Sequence, residues 1–318
     1  MKARISIHRR MLRRRSSTAW VLGGGAARGA AQVGSIFALM EAGLAAPSAI
    51  IGSSVGALDG AVMAAYPDLD GAHMLRRLWL SRPARDVFHL HPLGAIMSQL
   101  SGKLGPLSAD PLRKLIEKFE SDTGSTTFED LSIPLLVVAT DLDEGRRVVF
   151  HTGPLEPALL ASTSIPGLFP PVRIGDHDYS DGGIVDNVPI AIAVREGFHR
   201  ILAIGLMGGA QMHDRPSSWN EVIARTLQLS LHQRLLSDFE RLRTQARIVI
   251  ICPITPAEAA WDMSPEHVSS LIKRSHEATA RLLVQTGRAL FQRSAIHYLD
   301  LEGDQKVAAK TVWLADAL

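Results

Sequence analysis

Between Trp20 and Ala65 the chain twice passes from a short apolar run, through glycines, into a helical pattern, and that repeat restricts the folds open to it. Trp20-Val21-Leu22 reads as a buried strand that enters Gly23-Gly24-Gly25-Ala26-Ala27-Arg28-Gly29. Val33, Ile36, Phe37 and Met40 then recur at the spacing of one helix face, with Gly43 placed to end the helix. Ser48-Ala49-Ile50-Ile51 is a second strand, and the Ala-rich stretch from Val55 to Ala65 a second helix. Successive βα units imply parallel strands covered by helices on both faces. The expected fold class is therefore α/β, a three-layer α/β/α arrangement with a mainly parallel central sheet. Both glycine turns then follow strand C-termini, the edge where open α/β sheets bind ligands.

The second turn, Gly52-Ser53-Ser54-Val55-Gly56, fits the G-x-S-x-G elbow, in which flanking glycines let a strand reverse sharply into a helix and leave a serine hydroxyl exposed. The first turn has bare backbone amides. Its N–H groups can converge on an anion, assisted by the positive end of the following helix dipole, which suits an oxyanion hole. Far downstream, Asp181-Gly182-Gly183 offers a carboxylate base, although Asp176 and Asp178 lie close enough to compete for that role. The two glycines decide for Asp181, because they let the backbone turn closely beside a nucleophile. A serine at a helix start is often only a cap. Ser53 is the better candidate for capping, which leaves Ser54 as the nucleophile.

Together these segments resemble the bacterial patatin-like phospholipases, lipid acyl hydrolases with a Ser-Asp dyad. The resemblance rests on the glycine loop ending Arg28-Gly29-Ala30, on Gly52-x-Ser54-x-Gly56-Ala57, on Ala161 to Pro171 (ASTSIPGLFPP), and on Asp181-Gly182-Gly183 followed by Asn187-Val188-Pro189. It covers roughly residues 18 to 206; nothing diagnostic follows from about 210 to 318. It implies a patatin-like fold and Ser54 attack on an ester carbonyl, with Asp181 taking the proton and returning it to the leaving alcohol. The amides of Gly24, Gly25 and Ala26 would hold the oxyanion, where one donor is typically worth about 3 kcal/mol. Arg28, Gly29, Gly52, Gly56, Gly182 and Gly183 form the supporting loops, with Arg28 read as orienting its loop rather than attracting a phosphate headgroup. One departure is plain: aligned on Arg28-Gly29, the family's third glycine falls on Ala26, and alanine resists a left-handed backbone. That departure sustains a second reading, a catalytically weak regulatory or interaction protein of the same fold.

Other classes are poorly served. A Ser-Asp-His triad with His213 or His232 conflicts with an elbow after only the second strand. The glycine loop fits neither G-x-G-x-x-G nor G-x-x-x-x-G-K-[ST], and the scattered Asp and His residues lack metal-ligand spacing, so neither cofactor, metal nor nucleic acid is expected. Acyl ester substrate is the partner expected; composition does not address oligomeric state. Residues 2 to 15 hold seven basic side chains and no acid, which marks 1–17 as a basic, disordered leader. Its sharper reading is peripheral contact with anionic lipid headgroups, at about 1 kcal/mol per basic residue near the surface. Residues 18–318 are read as one catalytic domain, with 208–318 mainly helical.

A single cysteine, Cys252, points to a reducing compartment, and with no transmembrane stretch the expected location is cytoplasmic, peripheral at the inner membrane surface. The Pro- and Gly-rich part of Asp68 to Leu107 is read as a mobile lid, its apolar residues Phe88, Leu90, Leu93, Ile96, Met97 and Leu100 lining an acyl pocket. Further on, Leu135–Ala139 and Arg147–Phe150 should form a hairpin, two short strands around Gly175–Asp178 should deliver the chain to Asp181, and residues 208–218 should form a linker. Long helical patterns follow at Trp219–Leu242 and Glu266–Phe291.

Overall fold

The computed structural model describes residues 17–44, 46–88, 107–206, 219–255, 258–301 and 310–312. Leu90, Leu93, Ile96, Met97 and Leu100 of the expected lid, the basic leader and the 208–218 linker lie outside the described residues.

A ten-stranded sheet forms the middle layer. Six strands run parallel: β1 (Thr18–Leu22), β2 (Ala49–Ser53), β3 (Leu135–Asp141), β7 (Arg200–Ile204), β8 (Arg247–Ile254) and β9 (Ala295–Asp300). Antiparallel strands β4 (Arg146–Phe150), β5 (Val172–Ile174) and β6 (His177–Asp181) close one side, and β10 (Lys310–Val312) the other. The apolar runs read as strands do not alternate with polar residues because both faces are covered. Trp20, Leu22, Ile50 and Val137 face one core, with Val249 and Ile251; Val21, Ile51 and Val138 face the other, with Ile248 and Ile250. Helices α1 (Gly29–Glu41), α2 (Val55–Ala65), α3 (Leu69–Trp79) and α10 (Pro265–Thr286) cover the first face. The second lies under α8 (Ile190–Arg195) and α9 (Trp219–Leu242). The class is thus the expected α/β, a central mostly parallel sheet between helical layers. Beyond residue 208 the two long helices alternate with β8 and β9, which extend this same sheet next to β7.

Several boundaries differ from the sequence expectation. The helix expected around Leu75–Leu80 begins earlier, at Leu69, because Asp68 accepts a hydrogen bond from the Gly71 N–H and caps it. The helix expected from Val188 starts only at Ile190, after Pro189. Helix α10 stops at Thr286 rather than Phe291, where Gly287 takes a φ of +48°.

One feature of the ladder positions the site. Strand β4 pairs with Val137 to Asp141 of β3, whereas β2 pairs with Leu135 to Val138 and β6 with Ala139 to Asp141. Since β4 overlaps both, β2 and β6 share the other edge of β3, end to end. Ser53 stands opposite Val138 and Asp181 opposite Ala139, so the two strands meet where the elbow begins.

Candidate active site

Ser54 is the hinge between β2 and α2, and its φ of +55° and ψ of −130° are an outlier for a residue with a side chain. Ser162 fixes that turn by accepting the Ser54 N–H at 2.9 Å and donating its hydroxyl to the Val138 carbonyl at 2.6 Å. The Ser54 hydroxyl is thereby turned away from its own helix and donates to Oδ2 of Asp181 at 2.5 Å. Ser53 is not the helix cap expected of it. It ends β2 inside the sheet, and its buried hydroxyl has no hydrogen-bond partner among the described residues.

Asp181 is held from several sides. Its other carboxylate oxygen accepts the Gly183 N–H at 2.7 Å, its own N–H reaches the Ser164 carbonyl at 3.0 Å, and Thr140 donates to its carbonyl at 2.8 Å. Burial pushes the carboxyl up to about 6, against the opposing hydrogen bonds from Ser54 and Gly183. The competitors lie elsewhere: Asp178 pairs with Arg173 at 3.3 Å, and His232 lies 3.4 Å from the Tyr298 hydroxyl. His213 lies outside the described residues.

The glycine loop passes directly over Ser54. A Cβ on Gly24 would stand 2.9 Å from Ser54 Cβ and 2.5 Å from Asn187 Oδ1, so this position admits no side chain. Gly56 is constrained likewise, since a Cβ there would reach the Leu22 carbonyl oxygen at 2.1 Å. The sequence expectation of three free amides needs correction. The Gly24 N–H donates to the Asn187 carbonyl at 3.1 Å, whereas no hydrogen bond engages those of Gly25 and Ala26 among the described residues. Ala26 takes a φ of +52° despite its methyl, a backbone that alanine resists. Arg28 donates through Nε to the Gly25 carbonyl at 3.2 Å, and burial lowers its guanidinium to about 10.

Beside Ser54 an apolar cleft of about 560 Å³, counted out to its open mouth, is walled by Leu58, Leu78, Val87, Phe88, Leu112 and Phe169. Asp59 also lines it. Its Oδ1 accepts the Trp79 indole N–H at 2.8 Å, and burial pushes its carboxyl up to about 8, favouring the uncharged acid. Sequence reading missed Asp59, Ser162 and the part Asn187 plays. The visible signals were a lone acid within the apolar pattern Val55 to Ala65 and, for Ser162 and Asn187, their places in the Ala161–Pro171 and Asn187-Val188-Pro189 segments.

A serine held by a carboxylate at the C-terminal edge of a three-layer α/β/α sheet defines the class of site. The family model for patatin-like phospholipases matches residues 20–194, and the chain belongs to that family. An uncharacterized NTE family protein of Mycobacterium tuberculosis is 35% identical over 190 residues, 60% of this chain and 49% of that protein. Neuropathy target esterase sws of Drosophila melanogaster is 31% identical over 193 residues, 59% of this chain and 13% of that protein. The chain thus spans about half or less of the length of these curated relatives. Among solved structures, VipD from Legionella pneumophila aligns with a TM-score of 0.49 at 17% identity, covering 85% of this chain and 67% of that one. Among the described residues no helix is long and apolar enough to cross a membrane.

Proposed function

We propose that the chain is a serine lipid acyl hydrolase that cleaves carboxylic esters of phospholipids or lysophospholipids through a Ser54–Asp181 dyad. The observation that carries this reading is the 2.5 Å hydrogen bond from the Ser54 hydroxyl to Asp181, made at a strained elbow beside an apolar cleft. Ser54 Oγ attacks the ester carbonyl carbon as its proton passes to Asp181 Oδ2. The carbonyl oxygen becomes anionic within reach of the free N–H groups of Gly25 and Ala26, at the start of a helix. When the C–O bond breaks, the leaving alcohol takes the proton from Asp181. Water then attacks the acyl-serine, Asp181 accepts its proton, and the fatty acid departs as Ser54 Oγ is reprotonated. A carboxyl near 6 suits a base working at neutral pH, being ionised yet still basic. The apolar cleft takes the acyl chain, and the basic residues between Lys2 and Arg15 supply contact with anionic lipid on the cytoplasmic side.

The test is hydrolysis of p-nitrophenyl esters of graded acyl length, and of a phospholipid, in excess EDTA. Ser54→Ala and Asp181→Asn should each lower the rate by roughly 10³-fold or more, as for loss of a nucleophile or its base. Full activity in Ser54→Ala would sink the dyad, and an inactive wild-type chain would favour the regulatory reading.

A further inference from the structure

Away from Ser54, the β3–β6 ladder carries a second cluster of polar side chains. Asp141 ends β3 opposite Tyr179, two residue pairs out from the Ala139–Asp181 pair, and His177 begins β6. Asp143 follows in the turn to β4. Ligand-type atoms of Asp141, Asp143 and His177 all lie within 4.8 Å of one another. Backbone amides orient the two carboxylates: Asp141 Oδ1 accepts the N–H groups of Asp143 and Glu144, both at 3.0 Å, and Asp143 Oδ2 accepts that of Asp178 at 2.7 Å.

The observation that points to a ligand is at Asp141. Its side chain is 1% exposed, and its Oδ2 lies 3.0 Å from His177 Nδ1. The two stand at ion-pair distance without the alignment of a hydrogen bond, and both atoms are buried with no hydrogen-bond partner among the described residues. Buried polar atoms are normally satisfied, so an anionic oxygen and a ring nitrogen left this way, with a second carboxylate in reach, call for a shared third party. A cation meets that need. Ligands about 2.1 Å from a tetrahedral metal stand roughly 3.4 Å apart, close to the 3.0 Å between Asp141 Oδ2 and His177 Nδ1, and Asp143 offers an oxygen within 4.8 Å of both.

We propose that Asp141, Asp143 and His177 bind a divalent transition-metal ion, with Zn²⁺ the best match to one imidazole nitrogen and two carboxylates. The ion bridges the β3–β4 turn and the start of β6, which carries Asp181 at its far end. At about 3.3 Å per residue Asp141 stands about 7 Å and His177 about 13 Å along the ladder from Asp181, outside hydrogen-bond reach of the dyad, so the ion clamps the strand and takes no part in acyl transfer. The ligands come from two strands distant in sequence, which is why no spacing motif betrays them.

The full-length protein, stripped with EDTA and exchanged into chelator-free buffer, is titrated calorimetrically with ZnCl2 and separately with MnCl2, and its thermal midpoint is followed. One ion per chain should bind and raise the midpoint. His177→Ala and Asp143→Asn, both at accessible positions, should weaken binding at least tenfold and abolish the rise. They should keep the wild-type circular dichroism and hydrolyse esters in EDTA as the wild type does. No binding by the wild type, or unchanged affinity and stoichiometry in both variants, overturns the site. Because hydrolysis is read in EDTA and metal binding without substrate, failure here and failure of the acyl-hydrolase reading are separate results.

Discussion

Ser54 and Ala26 share a positive φ that side chains resist, but only Ser54 needs its side chain there. A left-handed backbone costs alanine about 1–2 kcal/mol, while glycine gives back about 0.5–1 kcal/mol through the greater freedom of its unfolded chain. Ala26→Gly should therefore raise the thermal midpoint by about 1–3 °C and change kcat/KM on a soluble ester by less than about threefold. A lower midpoint would show that the methyl packs favourably after all. Asp181 makes a pH-dependent claim. Its folded-state value of about 6 lies above the usual 3.8, so the fold favours the protonated acid. Stability linked to this group is complete below about pH 4 and declines as pH rises through 6, by up to roughly 3 kcal/mol. Activity runs the other way, because only the ionised form accepts the serine proton; kcat/KM should fall about tenfold per pH unit below about pH 6. Asp181→Asn should be inactive yet more stable than wild type to urea at pH 8, with the difference shrinking towards pH 4. An acid limb near pH 4, or an asparagine variant no more stable at pH 8, would contradict the buried-base description.

The packing of α1 on α10 tests whether helix propensity or contact governs at the scale of elements. Gly34 lies within α1, where alanine is intrinsically better by about 1 kcal/mol. A Cβ there, however, would stand 2.1 Å from the Ile272 carbonyl oxygen of α10. Beside it the Ser35 hydroxyl bonds those of Ser275 and Thr279, each at 2.9 Å, a contact made only at this close approach. Gly34→Ala should thus destabilise the fold by about 2 kcal/mol, as overpacking does, and leave the Ser54 chemistry intact at 25 °C. A rise in the thermal midpoint would mean propensity wins. The same contrast explains what was legible in the sequence. Strands β1, β2 and β3 and the elbow could be read because apolar runs and glycine turns are local signals. Gly34 looked like an ordinary helical residue, since its constraint comes from a backbone more than two hundred residues away. The pairing of Gly24 with Asn187, the sharing of one β3 edge by β2 and β6, and the Trp79 hydrogen bond to buried Asp59 are likewise products of tertiary contact. The sequence therefore pointed to Ser54 and Asp181 but overcounted the free amides above them.

At the scale of the whole molecule, the matched family region and the continuous sheet cover different lengths of chain. The match ends at residue 194, before β7 begins at Arg200. Yet β7 pairs with β1 along all of Thr18 to Leu22, and β8 and β9 follow it outward in the same sheet. A fragment of residues 18–196 would expose the hydrogen-bonding edge of β1, the strand that leads into the glycine loop. It would also lose α10, uncovering the face of α1 that carries Ser35 and Gly34. Both losses fall on the elements that hold Gly25 and Ala26 over Ser54, so the residues needed for the chemistry could be present without their geometry. The fragment should therefore aggregate or bind ANS with no cooperative thermal transition, and hydrolyse esters at less than about one-hundredth of the full-chain rate. A chain ending at residue 301 keeps β7, β8, β9 and α10 and should melt cooperatively with near-normal hydrolysis. If the 18–196 fragment were a cooperatively folded monomer with full activity, the C-terminal strands would be an addition to a self-sufficient catalytic core. If it fails while 1–301 succeeds, the sheet from β7 to β9 is what gives the Ser54 elbow its shape.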